Sequence, residues 1–323
     1  MKLAAVVVTF NRKELLIKTI ESLKKQSRVL DSIYIIDNAS TDGTYQYLVD
    51  NKVLEYEKFD TDKEYKQKIE NITYIRMNSN EGGAGGFHEG IKIAHQEGND
   101  WIWLMDDDVC PDKEALLNYE KFILNSEKEI GALMGVRFFE GTPFSFESKE
   151  HDFENWRNLE FKKATVTVED IKSDKLIQIY DMPFEGPIIN SRIIDKIGYP
   201  KKEFFIIGDD TDYSLRINQL APIYMVPSVR IDRMINPYSD YVFGWKDFYT
   251  IRNIVYINKK YGKNKGVQNI RTLNLYLRSL LPAIKRAIIK RDISYIGKTM
   301  KIYEAYKSGM KEELGKKYLP GDF

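Results

Sequence analysis

The chain has 323 residues, of which 43% are hydrophobic and 30% are charged, a composition that excludes an intrinsically disordered chain. Its one cysteine, Cys110, excludes an internal disulfide, and no apolar run approaches the ~18 residues of a membrane span. The net charge of +1 is uneven, because Tyr256–Phe323 holds 16 Lys and Arg against 5 Asp and Glu and residues 1–255 carry −10; this asymmetry predicts a C-terminal segment that meets an anionic surface.

Strands and helices alternate along the first part of the chain. Continuous apolar, β-branched runs predict buried parallel strands, and the stretches between them have helical periodicity. In chain order we predict a strand LAAVVVTF, a helix RKELLIKTIESLKKQ capped by Asn11, a strand SIYIID, a helix starting near Tyr45, a solvated insertion over Asn51–Lys68, a strand NITYIRM, a helix GGFHEGIKIAHQEG, a strand WIWLMD and a helix PDKEALLNYEKFI. This order predicts an α/β fold with an open, mostly parallel sheet flanked by helices.

Polar and glycine-rich segments follow the carboxyl ends of the predicted strands. They are Thr9–Arg12, Asp37–Thr41, Asn78–Gly86 and Asp106–Asp108. Because ligands of open α/β sheets bind outside the carboxyl ends of the strands, the sequence predicts one ligand site along this edge.

Three aspartates, Asp106, Asp107 and Asp108, follow the apolar residues WIWLM. Alternate side chains of an extended segment share a face, so Asp106 and Asp108 are expected to point one way and Asp107 the other. Two carboxylates about 7 Å apart suit a hard cation such as Mg²⁺ or Mn²⁺. The alternative is a loop whose acids cap the next helix. Three acids exceed what a cap requires, so we predict a metal site.

The glycine cluster EGGAGGF follows the third strand and has the spacing of neither a dinucleotide-binding motif nor a P-loop. Its glycines are Gly82, Gly83, Gly85 and Gly86. They predict either a close approach of the backbone to a bulky ligand or a helix that starts against such a ligand.

Together, VVVTFNRKELLIKTIESLKKQ, IIDNASTDGT, NEGGAGGFHEGI and WLMDDDV resemble the nucleotide-sugar half of an inverting family 2 glycosyltransferase with the GT-A (nucleotide-diphospho-sugar transferase) fold. FEGPIINSRIIDKIGYPKKEFFIIGDDTDYSLRI resembles the acceptor half of that family, and FYTIRNIVYI resembles the segment that follows it. The resemblance is nearest to the branch with bacterial galactofuranosyltransferases and rhamnosyltransferases. It implies a GT-A domain over residues 1–255 (1–110 nucleotide-sugar half, 111–255 acceptor half) and a basic helical C-terminal region over residues 256–323.

The resemblance also implies which residues hold the donor. At the end of the first strand they are Thr9, Phe10, Asn11 and Arg12, and the glycines of the cluster join them. Asp37 would accept a hydrogen bond from N3–H of the base, with Asn38 beside it. Asp37 as a turn residue and Arg12 as an ordinary exposed helix residue are the alternatives.

In the same resemblance, Asp106 and Asp108 would hold Mn²⁺ or Mg²⁺ bridging the diphosphate, with Asp107 also at the donor. Relatives in this branch place a histidine as a further metal ligand, but no histidine follows His151 here. Asp232 could replace it as an oxygen ligand. Alternatively, Arg230 or Arg233 neutralises the diphosphate instead.

The second acidic cluster, GDDTD, supplies the predicted general base. Inverting transfer requires one carboxylate to deprotonate the acceptor hydroxyl. Asp210 matches the base of the family, with Asp209 as a supporting or sugar-hydroxyl contact. The alternative is that these acids, with Asp212, only cap the next helix and favour its dipole.

The resemblance thus implies a metal-dependent transferase that moves galactofuranose from UDP-galactofuranose onto a bacterial cell-surface glycan or a lipid-linked acceptor in polysaccharide biosynthesis. A dTDP-rhamnose donor stays open, because uracil and thymine present the same N3–H edge. A sugar nucleotidyltransferase would use a similar sheet, but the chain has no basic glycine-rich loop for a triphosphate. The acidic body argues against nucleic-acid binding.

The tail has helical periodicity, with Leu275, Leu277, Leu280 and Leu281 before Pro282 and basic residues at Lys285, Arg286, Lys290 and Arg291. Basic amphipathic helices lie on anionic membranes; packing on the catalytic body or on a second copy in a homo-oligomer is the alternative. The N-terminal apolar run is too short for a signal peptide, so we expect a cytoplasmic protein that can contact the inner face of the cell membrane.

Overall fold

An eleven-stranded sheet organises the part of the chain that the computed structural model describes. The described residues are 1–159, 161–173, 175–238, 244–290, 294–319 and 322, without the side chains of residues 286, 287, 290 and 294–296. The predicted Arg291 therefore lies outside the described residues, and so do the side chains of Arg286 and Lys290.

The strands are β1 (Leu3–Thr9), β2 (Ser32–Asp37), β3 (Tyr65–Ile69), β4 (Ile72–Arg76), β5 (Trp101–Asp106), β6 (Val109–Pro111), β7 (Ala132–Phe139), β8 (Thr142–Phe144), β9 (Ser148–His151), β10 (Lys162–Thr165), β11 (Ile177–Ile179), β12 (Ile188–Asn190) and β13 (Ile223–Arg233).

The helices are α1 (Lys13–Lys24), α2 (Thr44–Asp50), α3 (Gly82–Gln96), α4 (Ala115–Asn125), α5 (Val168–Lys172), α6 (Ser191–Ile197), α7 (Asp209–Asn218), α8 (Trp245–Tyr261), α9 (Lys265–Lys290) and α10 (Ser294–Met310), with a 3₁₀ turn at Lys202–Phe204.

The sheet has the strand order β11-β13-β7-β12-β5-β1-β2-β4-β3, and β6 and β8 pair with β13 and β7. Strands β5, β1, β2 and β4 are mutually parallel, and β7 is parallel to β13. The antiparallel β12 lies between β5 and β7 and joins these two parallel blocks. The predicted α/β architecture with a central, mostly parallel sheet and C-terminal helices is confirmed.

Strand register brings the predicted ligand segments to one edge. Thr9 pairs with Asp37, Asp37 pairs with Arg76, and Val8 pairs with Asp106. The carboxyl ends of four neighbouring parallel strands therefore meet within about one residue of one another.

The core lies on both faces of the sheet, because successive side chains of a buried strand point to opposite sides. Along β1, Leu3, Ala5 and Val7 pack on one face with residues of α1 and α4, and Ala4, Val6 and Val8 pack on the other with residues of α3, α6 and α7. Both faces are covered, as expected for a parallel sheet.

Helices α8, α9 and α10 pack together beside the sheet and share a cluster of buried side chains that includes Phe205, Phe248 and Ala283. Pro282 lies inside α9. The boundary predicted after residue 255 falls inside α8, and the division into domains stays a prediction.

Two local predictions are corrected by the structure. Asn11 does not cap α1: it has a φ of 55°, its side chain accepts from the backbone N–H of Thr41 at 2.6 Å, and Arg12 is the residue that precedes the helix. The predicted insertion Asn51–Lys68 also contributes to the sheet, since β3 pairs antiparallel with β4 at its edge. Tyr65 stacks on Phe59 there with ring centroids 4.1 Å apart, an aromatic contact that the polar composition concealed.

Candidate active site

Side chains around Arg12 join the ends of β1 and β5. Thr9 Oγ1 donates to Asp107 Oδ2 at 2.7 Å. Arg12 Nη1 lies 3.1 Å from Asp107 Oδ1 and 3.3 Å from Asp108 Oδ2, although the Arg12 side chain is 44% exposed. Arg12 is thus held at the site by two acids, which an ordinary exposed helix residue would not be.

The expected alternation of the three aspartates is wrong at Asp107. Strand β5 ends at Asp106, and the two residues after it form a turn. Alternation holds only within a strand. Asp107 and Asp108 therefore reach the same guanidinium.

Carboxylates outnumber the cations that face them. Asp107, Asp108 and Glu185 each lie close enough to Asp106 to repel its carboxylate. Desolvation, followed by the charges of the other three acids, raises the pKa of Asp106 well above its usual range. Desolvation also raises the pKa of Asp108, against the attraction of two arginines. Such a cluster would be stabilised by an added cation.

The carboxylate oxygens at this site fit a divalent cation whose remaining ligands would come from water and substrate. Asp108 Oδ1 is buried and has no hydrogen-bond partner among the described residues. In the same part of the chain, no group of three or more His, Cys, Asp and Glu side chains is arranged to hold an ion. Mg²⁺ is commonly bound by one or two carboxylates, with water and substrate phosphates completing its shell. Asp106 and Asp108 can fill that role.

Arg233 on β13 faces these acids. Its Nη1 lies 3.2 Å from Glu185 Oε1, and its Nη2 lies 4.0 Å from Asp108 Oδ2. Of the two arginines proposed to neutralise a diphosphate, this one lies at the site.

Asp232 stays a predicted metal ligand, but in this structure its carboxylate is engaged by an arginine. Asp232 is paired with Arg230, whose Nη2 and Nε lie 2.6 and 2.9 Å from its two carboxylate oxygens. Neighbouring side chains of a strand point to opposite faces, so the strand that turns Arg233 toward Asp108 turns Asp232 away.

Asp37 is completely buried at the end of β2. Its Oδ1 accepts from the backbone N–H of Ser40 at 2.7 Å, and its Oδ2 accepts from Tyr74 Oη at 2.5 Å and from Arg76 Nη1 at 3.2 Å. These contacts are those of the turn residue that was the alternative. Its pairing with a base stays a prediction, and such pairing would require these contacts to rearrange.

Asn38 holds the glycine turn. Its Nδ2 donates to the carbonyl of Gly82 at 2.7 Å, and its Oδ1 accepts from the N–H of Glu81 at 2.9 Å. Gly82 has a φ of +72°, and a Cβ there would lie 1.9 Å from the carbonyl oxygen of Phe205. This glycine is required by a backbone approach within the protein.

At two of the other three glycines an added Cβ would meet packed atoms, and at the third it would lie in open space. A Cβ on Gly85 would meet Glu81, and one on Gly86 would meet Val8 of β1. A Cβ on Gly83 would have no atom within 4 Å. Gly83 is therefore the glycine at which a ligand could approach the backbone.

A cavity of about 200 Å³ opens at this edge of the sheet. It is bounded by predicted donor residues together with side chains from α8 and the C-terminal segment: Val8, Thr9, Phe10, Arg12, Asn38, Asn80, Gly82, Gly83, Asp106, Asp107, Phe205, Ile206, Trp245, Lys246 and Leu319. Ligand pockets usually measure about 300–1,000 Å³. A complete nucleotide sugar would therefore also contact the surface outside the cavity.

A strained loop leads from the cavity to the second acidic cluster. Phe205, Ile207 and Gly208 all have positive φ angles, of 66°, 67° and 88°. Asn253 Nδ2 donates to the carbonyls of Ile206 at 3.0 Å and of Ile207 at 2.6 Å. Left-handed non-glycine residues persist only where the surroundings enforce them, and they concentrate at functional sites.

Asp209 and Asp210 open α7 directly after this loop. The helix has Gly208 before its first residue and no side-chain cap, so neither acid is its N-cap. Asp210 Oδ1 accepts from the N–H of Thr211 at 2.6 Å. Desolvation raises the pKa of Asp209 and, more weakly, that of Asp210. Asp210 is thus the more readily ionised of the two.

Asp212, the third acid of the cluster, has a different environment. It is fully buried and contacts Arg216 Nε at 3.0 Å, Lys260 Nζ at 2.8 Å and Tyr261 Oη at 2.8 Å. It ties α7 to α8 and is not available to a substrate.

The sequence did not point to several contributors to the site: Glu185, Asn253, Phe205, Ile206, Trp245, Lys246 and Leu319. Asn253 could have been found as a polar residue inside the apolar pattern FYTIRNIVYI. Glu185 could have been found as the acid of FEGP, next to a buried strand. The packing of Leu319 against the cavity has no local signal. The segment before it is held by Tyr249 Oη, which accepts from the N–H groups of Lys317 and Tyr318.

Known proteins share sequence with this chain. The model described as "Glycosyl transferase family 2" matches residues 4–174, more than half of the chain. Galactofuranosyltransferase GlfT1 of Mycobacterium tuberculosis is 24% identical over 290 residues, which cover 81% of this chain and 83% of the relative.

Solved structures share the fold at low identity. GalNAc-T7 with UDP, GalNAc and Mn²⁺ superposes with a TM-score of 0.59 at 13% identity, covering 97% of this chain and 56% of that one. S. aureus TarS 1-349 in complex with UDP gives 0.54 at 16% identity, covering 97% and 82%. The expected GT-A fold is confirmed.

Proposed function

This chain belongs to glycosyl transferase family 2, and on that premise we propose that it transfers galactofuranose from UDP-galactofuranose to a hydroxyl of a bacterial glycan, with inversion. The family membership establishes a glycosyltransferase. The galactofuranose donor is supported by the similarity to galactofuranosyltransferase GlfT1.

The donor would bind along the carboxyl edge of β1, β2 and β5. Thr9, Phe10 and Arg12 border the cavity from β1, and the open backbone at Gly83 borders it from α3. The uridine would extend over Phe10, which is 37% exposed. The diphosphate would then lie toward Asp106.

Asp106 and Asp108 would hold Mn²⁺ or Mg²⁺, which supplies Lewis-acid stabilisation of the diphosphate leaving group. Positively charged side chains of the protein would stabilise the diphosphate together with the metal ion. Arg12 and Lys246 border the cavity, and Arg233 approaches Asp108 from β13. Positive groups fixed where charge develops lower the barrier without reorganising during the reaction.

Asp210 would act as the general base. Its carboxylate takes the proton of the acceptor hydroxyl as the hydroxyl oxygen attacks the anomeric carbon. The bond from that carbon to the diphosphate oxygen breaks, and UDP leaves from the opposite side. A base positioned in this way contributes about 10²–10⁴-fold.

One observation carries the proposal: a short strained loop joins the donor cavity to a pair of acids. Phe205 and Ile206 border the cavity, and Asp209 and Asp210 follow within four residues. An acceptor hydroxyl placed between them would have the leaving group on one side and the base on the other.

A donor panel tests the proposal. Purified protein is incubated with Mn²⁺, an oligosaccharide acceptor and each of UDP-galactofuranose, UDP-galactopyranose and dTDP-rhamnose; transfer is followed by mass spectrometry, and the anomeric configuration of the product is determined by NMR. We expect transfer from UDP-galactofuranose with inverted linkage. Transfer from dTDP-rhamnose alone would show that the donor is dTDP-rhamnose and not UDP-galactofuranose. A retained anomeric configuration would contradict the single-displacement mechanism.

A further inference from the structure

Helix α9 carries an exposed apolar stripe. Its six members are spaced by three or four residues, and each side chain is between 38% and 71% exposed: Ile270, Leu273, Leu277, Leu281, Ile284 and Ile288. At 3.6 residues per turn these positions fall within an arc of about 80°. A continuous apolar stripe of this length on a soluble surface marks an interaction site.

The stripe is not the face by which α9 joins the protein. Gln268, Arg271, Thr272 and Ala283 are buried on the other side of the helix. Thr272 and Ala283 lie about 140° and about 120° from the middle of the stripe. The helix therefore has one side packed on the body and an opposite side that the described residues leave uncovered.

The apolar surface extends onto the next helix. Met300 and Tyr303 of α10 are 68% and 52% exposed. A groove of about 880 Å³ between α9 and α10 is bordered by both of them and by Ile284 of the stripe. The uncovered area is thus a broad face formed by two helices.

Charge distinguishes what could cover this face. Helix α9 contains six Lys and Arg and no Asp or Glu. Exposed Arg278 and Lys285 directly follow Leu277 and Ile284 and border the stripe. Two copies of the helix packed on each other would bring like charges together. An anionic surface would pair with them, and a helix that combines an apolar stripe with basic flanks is typical of one lying in a lipid interface.

We propose that the face formed by the α9 stripe, Met300 and Tyr303 binds the surface of an anionic lipid bilayer. Within the described residues, no helix has the length and hydrophobicity to cross a bilayer. The helix would lie along the surface, with the apolar side chains entering the interface and the basic ones meeting lipid phosphates.

The position of the face bears on the substrate, a consequence that rests on the proposed function. Helix α9 follows α8 after only three residues and returns along it, so that Ala283 shares a cluster with Phe248 and Tyr249. The first residue of α8, Trp245, borders the donor cavity. A bilayer on the second half of the stripe would thus lie at the cavity end of α8, where it would favour a lipid-linked acceptor.

Vesicle sedimentation of the full chain, without any sugar nucleotide, tests the proposal. We expect binding to phosphatidylcholine vesicles containing phosphatidylglycerol at least about tenfold tighter than to phosphatidylcholine alone, since each basic residue near the surface contributes about 1 kcal/mol. Binding should be lost in 1 M salt, where the Debye length is about 3 Å.

Two pairs of variants distinguish vesicle binding through the stripe from nonspecific binding by other exposed residues. L281Q/I288Q should abolish binding, and L124Q, which changes a leucine 69% exposed on α4, should not. R278E/K285E should weaken binding to the anionic vesicles at least about tenfold, and K121E/K128E, at exposed lysines elsewhere, should leave it unchanged.

No binding at low salt, or equal binding by L281Q/I288Q and L124Q, would overturn the proposal. So would a dimer in light scattering that L281Q/I288Q dissociates while vesicles bind neither protein, because the stripe would then face a second copy. A protein that binds vesicles but transfers sugar from no donor would contradict the proposed function alone.

Discussion

The ammonium of Lys260 on α8 lies 2.8 Å from the carboxylate of Asp212 on α7, the helix that begins with Asp209 and Asp210. Asp212 is fully buried, and Lys260 is partly exposed. Burial opposes ionisation of Asp212, but the hydrogen bond from Lys260 and the charge of Arg216 lower its pKa. Burial, together with the neighbouring Lys201, lowers the pKa of Lys260 against the attraction of Asp212.

We therefore expect Asp212→Asn to destabilise the protein by about 3 kcal/mol, since removing one partner of a buried pair leaves the other uncompensated. The wild-type contribution is present above the unfolded pKa of about 3.9 and is lost as pH falls toward the lowered folded pKa. Urea unfolding at several pH values measures both effects. Equal stability of the variant and the wild type at pH 7 would contradict this role.

Asp210→Asn keeps the shape of the side chain but removes the proton acceptor. We expect kcat to fall by about two to four orders of magnitude while UDP affinity stays near wild type. Single-turnover transfer and calorimetric titration with UDP separate the two quantities. An inactive Asp209→Asn beside an active Asp210→Asn would move the base by one residue.

The same carboxylate predicts a pH dependence. Desolvation raises the pKa of Asp210, so the fraction able to accept a proton falls at a pH above the ordinary aspartate pKa of about 3.9. The acid limb of the kcat profile should lie above that value. Asp210→Asn should lose this limb, and a limb that persists in the variant would assign it to another group.

Asp108→Ala should abolish metal-dependent binding of UDP and transfer, and Asp106→Ala should do so to a lesser degree. The reason is the partnerless oxygen of Asp108 beside its crowded neighbour. Calorimetry with UDP, with and without Mn²⁺, measures the metal-dependent part. Asp232→Ala is the matched control and should resemble wild type, because Asp232 is paired with Arg230. Metal-stimulated activity in both site variants would exclude a metal role for these acids.

Arg233→Met and Arg230→Met form a second matched pair on β13. Arg233 faces Glu185 and Asp108, so its loss should lower kcat by about 10²–10³-fold, the usual effect of one preorganised stabilising group. Arg230 forms a partly exposed pair with Asp232, and such pairs contribute about 0–1 kcal/mol. Kinetics at saturating Mn²⁺ compare the two. Equal losses of kcat in the two variants would show that the net charge of β13, and not the position of Arg233, affects turnover.

Substitutions at Gly82 and Gly83 distinguish a glycine required for backbone packing from one at which a ligand approaches. Gly83→Leu should leave the melting temperature near wild type but weaken UDP binding at least about tenfold, or 1.4 kcal/mol, because its side chain would project into open space beside the cavity. Gly82→Ala should lower the melting temperature, since its Cβ would meet the carbonyl of Phe205 and its φ is positive. Thermal shift and UDP titration measure both. Unchanged affinity in Gly83→Leu would leave the glycine cluster with structural roles alone.

The sequence was sufficient to predict the strands whose carboxyl ends form the site, because long buried runs such as LAAVVVTF leave few alternatives. Orientation beyond a strand end was not predictable. Asp107 turns to Arg12 because β5 stops one residue earlier. Whether Asp232 or Arg233 faces the acids depends on the register between β13 and β6, which lie far apart in the sequence.

Thr9, at the end of the first strand, and Leu319 border one cavity. A ribosome that has synthesised residues 1–255 has therefore already made all of the acids proposed for chemistry, but the cavity still lacks a wall. The complete cavity is expected to form only after residue 319 has left the exit tunnel and packed. Until then, a nascent chain would have neither a complete cavity nor helix α9 with its apolar stripe and basic flanks.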